Sequence, residues 1–329
     1  MLLATVISVL IQSVPPPPGL PAPPDPPVGQ ALAEGTWWLA GDLGRGRQPD
    51  GNSVVFATDD GLVVVDTGRH DWHRIGIQRL AEAEGRPIGA ILNSHWHLDH
   101  VIGNVGLKAA YPGLTVYATG ALEGAVPTFL NPSREAGMRA LAGGDLTPAE
   151  AADVRLNVVA MDDIAALGPD VIVDADRTLT IGRRTLDLHV TDHAATQSDL
   201  WVYDARSGVA AVGDLITLPV PYLDTACPEG WRAALDQVAA VPFTTVIPGH
   251  GRPMDRVAFE TYRIAFSALT DCMASDRAAA ECGTDWSRAT ATLQNSGRSL
   301  DGVAQYAAGY VEQVVRAPDH RARFCPLAS

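Results

Sequence analysis

Residues 95–100 read His95-Trp96-His97-Leu98-Asp99-His100, directly after the apolar run Ile88–Leu92. Such a run predicts a short buried strand, so the histidines stand at a strand's carboxyl end. Three imidazoles and a carboxylate this close together are costly to bury without a partner, and a divalent cation satisfies them all at once. In extended or turning backbone, His95 and His97 point to one side while Asp99 and His100 swing towards a second ion.

Outward from this stretch, the upstream sequence predicts strands at Thr36–Leu39, Ser53–Ala57 and Leu62–Asp66, with hairpin chemistry at Asp59-Asp60-Gly61. Asp71 to Glu84 has helical spacing, with Ile75, Leu80 and Ala83 as an inward stripe. Val105–Ala110 reads as helix and Thr115–Ala118 as strand. Gly124 to Gly168, richer in Ala, Gly and Pro, reads as an insertion of helices and loops. Strands return at Val171–Val173, Thr178–Ile181, Thr185–Val190, Leu200–Tyr203 and Val209–Val212, followed by a helix over Trp231–Val238 and a strand at Thr245–Ile247. From about Met254 the remainder reads as helix. This gives two similar halves, each β-rich and then helical, with strands sandwiched between helices.

The spacing His95-x-His97-x-Asp99-His100 resembles the signature of the metallo-β-lactamase superfamily. The resemblance extends to Val63-Val64-Val65-Asp66-Thr67-Gly68, Val212-Gly213-Asp214-Leu215 and Pro248-Gly249-His250-Gly251, each after an expected strand and in the family's order, over roughly Thr36 to Arg252. It implies an α/β fold: an αββα sandwich of two mixed β-sheets flanked by helices, here with a helical C-terminal extension. It also implies that His95 and His97 bind a first metal, that Asp99, His100 and His250 bind a second, and that Asp214 bridges them. Asp66 would lie behind the ligands and orient them. A nitrogen and oxygen donor set suits Zn²⁺, as one or two ions, and leaves Fe²⁺ or Mn²⁺ open.

One departure stands out. Where the family supplies a third histidine to the first metal, this chain has Ala195, in Asp192-His193-Ala194-Ala195-Thr196. Either a rearranged loop brings His193 to that metal, or the first ion rests on His95, His97 and Asp214 alone. Tyr222 is a candidate electrophile near the substrate. His70 and His73 would border the pocket or begin a solvated helix, and His189 and His320 read as structural. Trp37 and Trp38 are adjacent, so only one can face inward.

The implied activity is that of a metal-dependent hydrolase. A metal-bound hydroxide would attack a carbonyl-type substrate (a β-lactam, a lactone or ester, or a thioester), with Asp99 orienting the nucleophile and moving its proton. Two rivals remain open at this point: an iron-dependent oxygenase of the persulfide dioxygenase type, and a metal-binding accessory protein without turnover.

Composition narrows the partners. The 329 residues carry 24 Lys plus Arg against 38 Asp plus Glu, a formal charge of −14. Such a surface repels phosphate backbones and anionic lipid, which leaves a small-molecule substrate and argues against nucleic acid. No apolar run is long enough for a membrane span in the mature chain. Residues 1–14 form an apolar leader of secretory length, 15–30 a proline-rich linker, 31–265 the catalytic-type domain and 266–329 the helical extension. An exported protein, periplasmic or secreted, with an even number of cysteines suggests disulfides, and Cys272 with Cys282 would leave Cys227 to reach Cys325. Four cysteines permit three pairings, and the oligomeric state is not readable from spacing.

Overall fold

The computed structural model describes residues 23–41, 47–317 and 319–325; the apolar leader and the first part of the proline-rich linker lie outside the described residues. Seven strands, β1 (Gln30–Ala33), β2 (Thr36–Leu39), β3 (Ser53–Thr58), β4 (Gly61–Val65), β5 (Ile88–Leu92), β6 (Thr115–Ala118) and β7 (Val171–Ile172), form one sheet in that spatial order. Pairing is antiparallel from β1 to β4 and parallel from β4 to β7. The second sheet holds β8 (Arg177–Ile181), β9 (Arg184–Asp192), β10 (Ser198–Asp204), β11 (Val209–Ala211) and β12 (Thr245–Ile247) in the order β12-β11-β10-β9-β8. Only its β11–β12 pair is parallel.

Period-two alternation explains the layering. Val54 and Phe56 of β3 and Val63 and Val65 of β4 face Leu186, Leu188, Leu200 and Val202 of the second sheet. Val55, Leu62 and Val64 face the other way, onto α1 (Asp71–Glu84). Both faces of these strands are covered, so they read as continuous apolar runs and not as alternating ones. On the outer face of the second sheet, Trp201 and Tyr203 pack against helices from the C-terminal half. The arrangement is the expected αββα sandwich of two mixed sheets.

Two short helices, α2 (Leu98–Val101) and α3 (Gly103–Ala110), follow β5. The insertion is helical, as expected: α4 (Ala121–Ala125), α5 (Asn131–Gly143), α6 (Pro148–Asp162) and α7 (Ile164–Leu167). Thr147 starts α6 with a reciprocal cap, accepting from the Glu150 N–H while Glu150 accepts from its own N–H, and Pro148 fills the first helical position.

The C-terminal half adds α8 (Pro228–Ala240), α9 (Arg256–Met273), α10 (Ala279–Ala289), α11 (Leu300–Tyr310) and α12 (His320–Phe324). Met273, Trp286, Val303 and Val311 share one core with Trp201 and Trp231, so the extension is packed onto the sandwich. Disulfides join Cys272 to Cys282 and Cys227 to Cys325, the pairing favoured from spacing. Among the described residues no helix is long and apolar enough to cross a membrane.

Two details differ from expectation. β1 begins inside the segment read as linker. The inward stripe of α1 is Ile77, Leu80 and Ala81, with Ala83 exposed and Ile75 only partly covered. The helix is turned by His73, which is buried on the same face with its Nε2 2.7 Å from Ser53 Oγ. An apolar-only stripe search passes over that polar anchor.

Candidate metal centre

Four strand ends converge on one point. Asp66 follows β4, the His95–His100 stretch follows β5, Asp214 lies in a 3-10 turn after β11, and His250 follows β12. Close backbone approach makes the convergence possible. A Cβ on Gly249 would stand 2.0 Å from Asp214 Oδ1, and one on Gly51 would stand 2.4 Å from His100 Cε1, so only glycine fits at either place. Asn52 ties the His250 loop down, its Nδ2 donating to Pro248 O at 2.8 Å and to Gly251 O at 2.9 Å.

The converging side chains form two groups whose potential ligand atoms lie within 4.8 Å of one another: His95, His97 and Asp214, and Asp99, His100 and His250. Asp214 faces both. Its Oδ2 is 3.6 Å from His95 Nε2 and 4.0 Å from His97 Nδ1, while its Oδ1 is 3.3 Å from His100 Nε2 and 3.6 Å from His250 Nε2. Asp99 Oδ2 stands 3.0 Å from His250 Nε2 and 3.8 Å from His100 Nε2. Two donors each about 2.1 Å from a tetrahedral ion lie roughly 3.4 Å apart, so separations of this size leave room for one ion between each set of donors.

Hydrogen bonding fixes which nitrogen three of the four imidazoles offer; both ring nitrogens of His250 are buried without a hydrogen-bond partner. Ser94 Oγ donates to Asp66 Oδ2 at 2.7 Å, so it accepts from His95 Nδ1 at 2.9 Å and leaves His95 Nε2 with a free lone pair. His100 Nδ1 donates to Asp66 Oδ2 at 2.8 Å, which frees His100 Nε2. Thr225 Oγ1 donates to Ala195 O at 3.1 Å and accepts from His97 Nε2 at 3.0 Å, which frees His97 Nδ1. In each case a donated N–H sets the tautomer and points the lone pair inward. Accordingly, His95 Nε2, His100 Nε2, His250 Nε2 and both Asp214 oxygens are buried without a hydrogen-bond partner. Buried orphans of that kind are expensive unless a cation completes them. The residues fit a divalent metal.

The electrostatics agree. Burial, joined by the neighbouring His100 and His97 imidazoles, holds His95 well below its ordinary value, and burial lowers His97 against the pull of Asp214 and Asp99. Burial also opposes charge on His100, yet the Asp214, Asp66 and Asp99 carboxylates outweigh it and push that imidazole well up. Burial would raise Asp99 and Asp214, but neighbouring imidazoles, His100 foremost, keep both ionised far below the usual carboxylate range. The centre is an acidic, dry pocket that favours a positive charge.

The family model described as the metallo-beta-lactamase superfamily matches residues 46–250. The chain belongs to that superfamily. Among solved structures, a sec-alkylsulfatase, Pisa1 from Pseudomonas sp., aligns at a TM-score of 0.61 and 17% identity, covering 92% of this chain and 52% of that one. Metallo-beta-lactamases from Hirschia baltica (TM-score 0.52, 18% identity, 73% of this chain and 97% of that one) and Pontibacter korlensis (0.51, 17%, 70% and 94%) align as well. At these identities the likeness concerns the fold. No curated protein matches the chain.

Against the superfamily's pattern, His193 is the correction. Its Nδ1 lies 3.2 Å from Phe324 O at the C-terminal end, and it joins neither ligand group. Its loop is tied from three sides in this outward position. His193 N–H donates to Gln197 O at 2.9 Å, Cys227 N–H donates to Ala194 O at 2.9 Å, and Gly230 packs so closely that a Cβ there would meet His193 O at 1.8 Å. The first group therefore offers three side chains. His70 and His73 are likewise not solvated: both are buried, in a polar network beside the centre.

Above the two groups opens a cavity of about 790 Å³. His97, Asp99 and Asp214 line its floor. Phe129, Leu130, Val158 and Met161 from the insertion make an apolar wall, and Tyr222, Tyr306 and Tyr310 face it from the C-terminal half. Tyr222 sits edge-on to His250, ring centroids 5.4 Å apart, and burial pushes its hydroxyl well above its ordinary value. Of the two adjacent tryptophans, Trp38 packs between the sheets and Trp37 on the outer face, and neither lines this cavity. Sequence reasoning missed Ser94, Asn52, Thr225 and Arg69; only Ser94, adjacent to His95, carried a local signal.

Proposed function

We propose that this chain is an exported zinc-dependent hydrolase acting on a carbonyl-type bond: a β-lactam, a lactone or ester, or a thioester. One observation carries the reading. Two ligand groups, each with buried orphan donors, meet at Asp214, which belongs to the first and lies 3.3 Å from His100 Nε2 and 3.6 Å from His250 Nε2 of the second, at the floor of an open, partly apolar cavity. When bound there, divalent ions supply Lewis acidity, which polarises an acyl oxygen and acidifies water. His95, His97 and Asp214 would hold one ion, and Asp99, His100, His250 and Asp214 the other, with Asp66 orienting His100.

The chain's own groups do the rest. Asp99, on the cavity floor, would orient the attacking water and carry its proton towards the leaving group. Tyr222 would offer its O–H to negative charge developing on the substrate. The apolar wall from the insertion would exclude bulk water and seat a non-polar substituent. Two disulfides suit an oxidising compartment, which supports export. Residues 31–265 would form the catalytic unit, with 266–329 supplying one side of the cavity.

A second reading is sulfate-ester hydrolysis. It is favoured by the extent of the sec-alkylsulfatase alignment, which covers 92% of the chain and so reaches beyond residues 46–250. One experiment tests both. Purified protein is analysed for metal and assayed with nitrocefin, an aryl lactone, a thioester and a secondary alkyl sulfate, beside Asp214→Asn. The proposal expects zinc, turnover of a carbonyl substrate that chelation abolishes, and a loss of about 100-fold or more in Asp214→Asn. Turnover confined to the alkyl sulfate selects the second reading. Iron with oxygen uptake, or metal-loaded protein that turns over nothing, overturns both.

A further inference from the structure

Arg69 has no part in the ligand set, yet its side chain is one of the most constrained near the centre. It is 8% exposed and lies just past the Asp66 turn, with its backbone N–H donating to Asp50 Oδ1 at 2.6 Å. The guanidinium donates through Nε to Pro49 O at 3.0 Å and through Nη1 to Asn157 Oδ1 at 2.5 Å. The Asn157 amide is itself oriented, because its Nδ2 donates to Gln48 Oε1 at 2.9 Å and so leaves only Oδ1 for the arginine. With two of its arms anchored, Arg69 presents Nη2 3.5 Å from Asp99 Oδ1. The other oxygen of Asp99, Oδ2, is the one that faces His250 and His100.

We infer that Arg69 is a positioning residue for the second metal. It holds Asp99 by Oδ1 so that Oδ2 alone is offered to the ion, and α6 sets its angle through Asn157. The inference rests on reading Asp99, His100 and His250 as ligands. A carboxylate is free to rotate between one-oxygen and two-oxygen coordination, and a fixed cation on one oxygen removes that freedom. Arginine suits the task because its planar fork serves three partners at once, where a lysine ammonium would be a single mobile point charge. The insertion thereby contributes to the metal centre without supplying a ligand.

The test is a Co²⁺ titration of metal-free protein, followed by visible absorption with a competing chelator, on wild type, Arg69→Met, Arg69→Lys and Asn157→Ala. Two equivalents are expected in wild type. In Arg69→Met the second equivalent should weaken about 10- to 100-fold and change its absorption band, with the first equivalent unaltered. Arg69→Lys should recover part of the loss, and Asn157→Ala, at a half-buried and more tolerant position, should show a smaller loss confined to the same equivalent. An unchanged second equivalent in folded Arg69→Met, or both equivalents weakened alike in Arg69→Met and Asn157→Ala, overturns the inference. So does a wild-type chain that takes up no cobalt, and the metal reading then falls with it. The expected cobalt pattern with no hydrolysis of any substrate leaves Arg69's role standing and overturns the hydrolase reading alone.

Discussion

Asp153, on the insertion helix α6, stands with Oδ1 3.1 Å from His70 Nε2, while Asp50 Oδ2 lies 2.8 Å from His70 Nδ1. All three side chains are buried, and Arg47 closes the set by donating to Asp153. Trp72 stacks on the imidazole at 3.9 Å and donates from Nε1 to Asp50. With a carboxylate at each ring nitrogen, His70 is built to be an imidazolium, a clamp between the Asp66 loop and the insertion.

The clamp predicts a pH signature. Burial opposes charge on His70, but Asp153 and Asp50 raise it above its ordinary 6.5. Its contribution is therefore complete below pH 6.5 and lost as pH rises through the folded value. Burial would raise Asp50 and Asp153, yet both are held below the ordinary 3.8, chiefly by His70. Their contribution is present above pH 3.8 and lost as pH falls through their folded values. The clamp is strongest between about pH 4 and 6.5. Thermal unfolding should show stability draining away above that window, and His70→Gln should lower stability by about 3 kcal/mol inside it and flatten the alkaline slope. Parallel pH profiles for the two proteins would refute the clamp.

Asp66→Asn should cost metal affinity without removing a ligand. The carboxylate accepts from Ser94 N–H and Oγ and from His100 Nδ1, each within 2.8 Å. An amide in its place would set an N–H against one of those donors and disturb the tautomers of His95 and His100 together. Zinc affinity measured by chelator competition should fall about 10- to 100-fold for both ions. A wild-type affinity in this variant would show that the tautomers are set elsewhere.

Gly249→Ala should empty the centre, because the added methyl falls on Asp214 Oδ1. Gly89→Ala, an exposed strand position whose nearest neighbour would be Asp60 O at 3.8 Å, is the matched control. Overpacking of this kind costs about 1–3 kcal/mol, and here it displaces Asp214, the carboxylate that faces both groups, as well. Bound metal counted after gel filtration should drop in the first variant only; equal counts would mean that the His250 loop yields freely.

What was legible in the sequence was whatever chemistry lies next to itself in the chain. His95 to His100 declare a site because six consecutive residues carry it, and Asp66, Asp214 and His250 are legible because each ends a strand in a recognisable turn. The stripe of α1 was misjudged because His73, a polar residue, occupies an inward place. Arg69, Asn52 and Thr225 were invisible because their roles exist only across separations of 30, 199 and 128 residues, to Asp99, Gly251 and His97. Which of the two readings of His193 holds was not legible for the same reason: besides the local bond to Gln197 O, its loop is held by a hydrogen bond from Cys227 and by the close packing of Gly230.

That last contact leads to a prediction about the two disulfides. Cys227–Cys325 spans 98 residues and Cys272–Cys282 spans 10. Chain-entropy arithmetic gives about 4.7 kcal/mol for a loop near 100 residues and about 2.7 kcal/mol for one near ten. The longer bridge also fastens a segment whose other polar side-chain ties among the described residues are His320 Nε2 on Ala226 O at 2.9 Å, Arg321 on Glu229, Arg323 on the Thr128 carbonyl, and the Phe324 carbonyl on His193. The paired variant Cys227→Ala with Cys325→Ala should therefore lose more stability in urea than Cys272→Ala with Cys282→Ala. It should also raise hydrogen exchange selectively in α12, where the helix is too short to hold itself once its end is released. An equal or larger loss in the Cys272–Cys282 pair would mean that the unfolded chain is already compact around Cys227, so that closing the long loop removes little of its freedom.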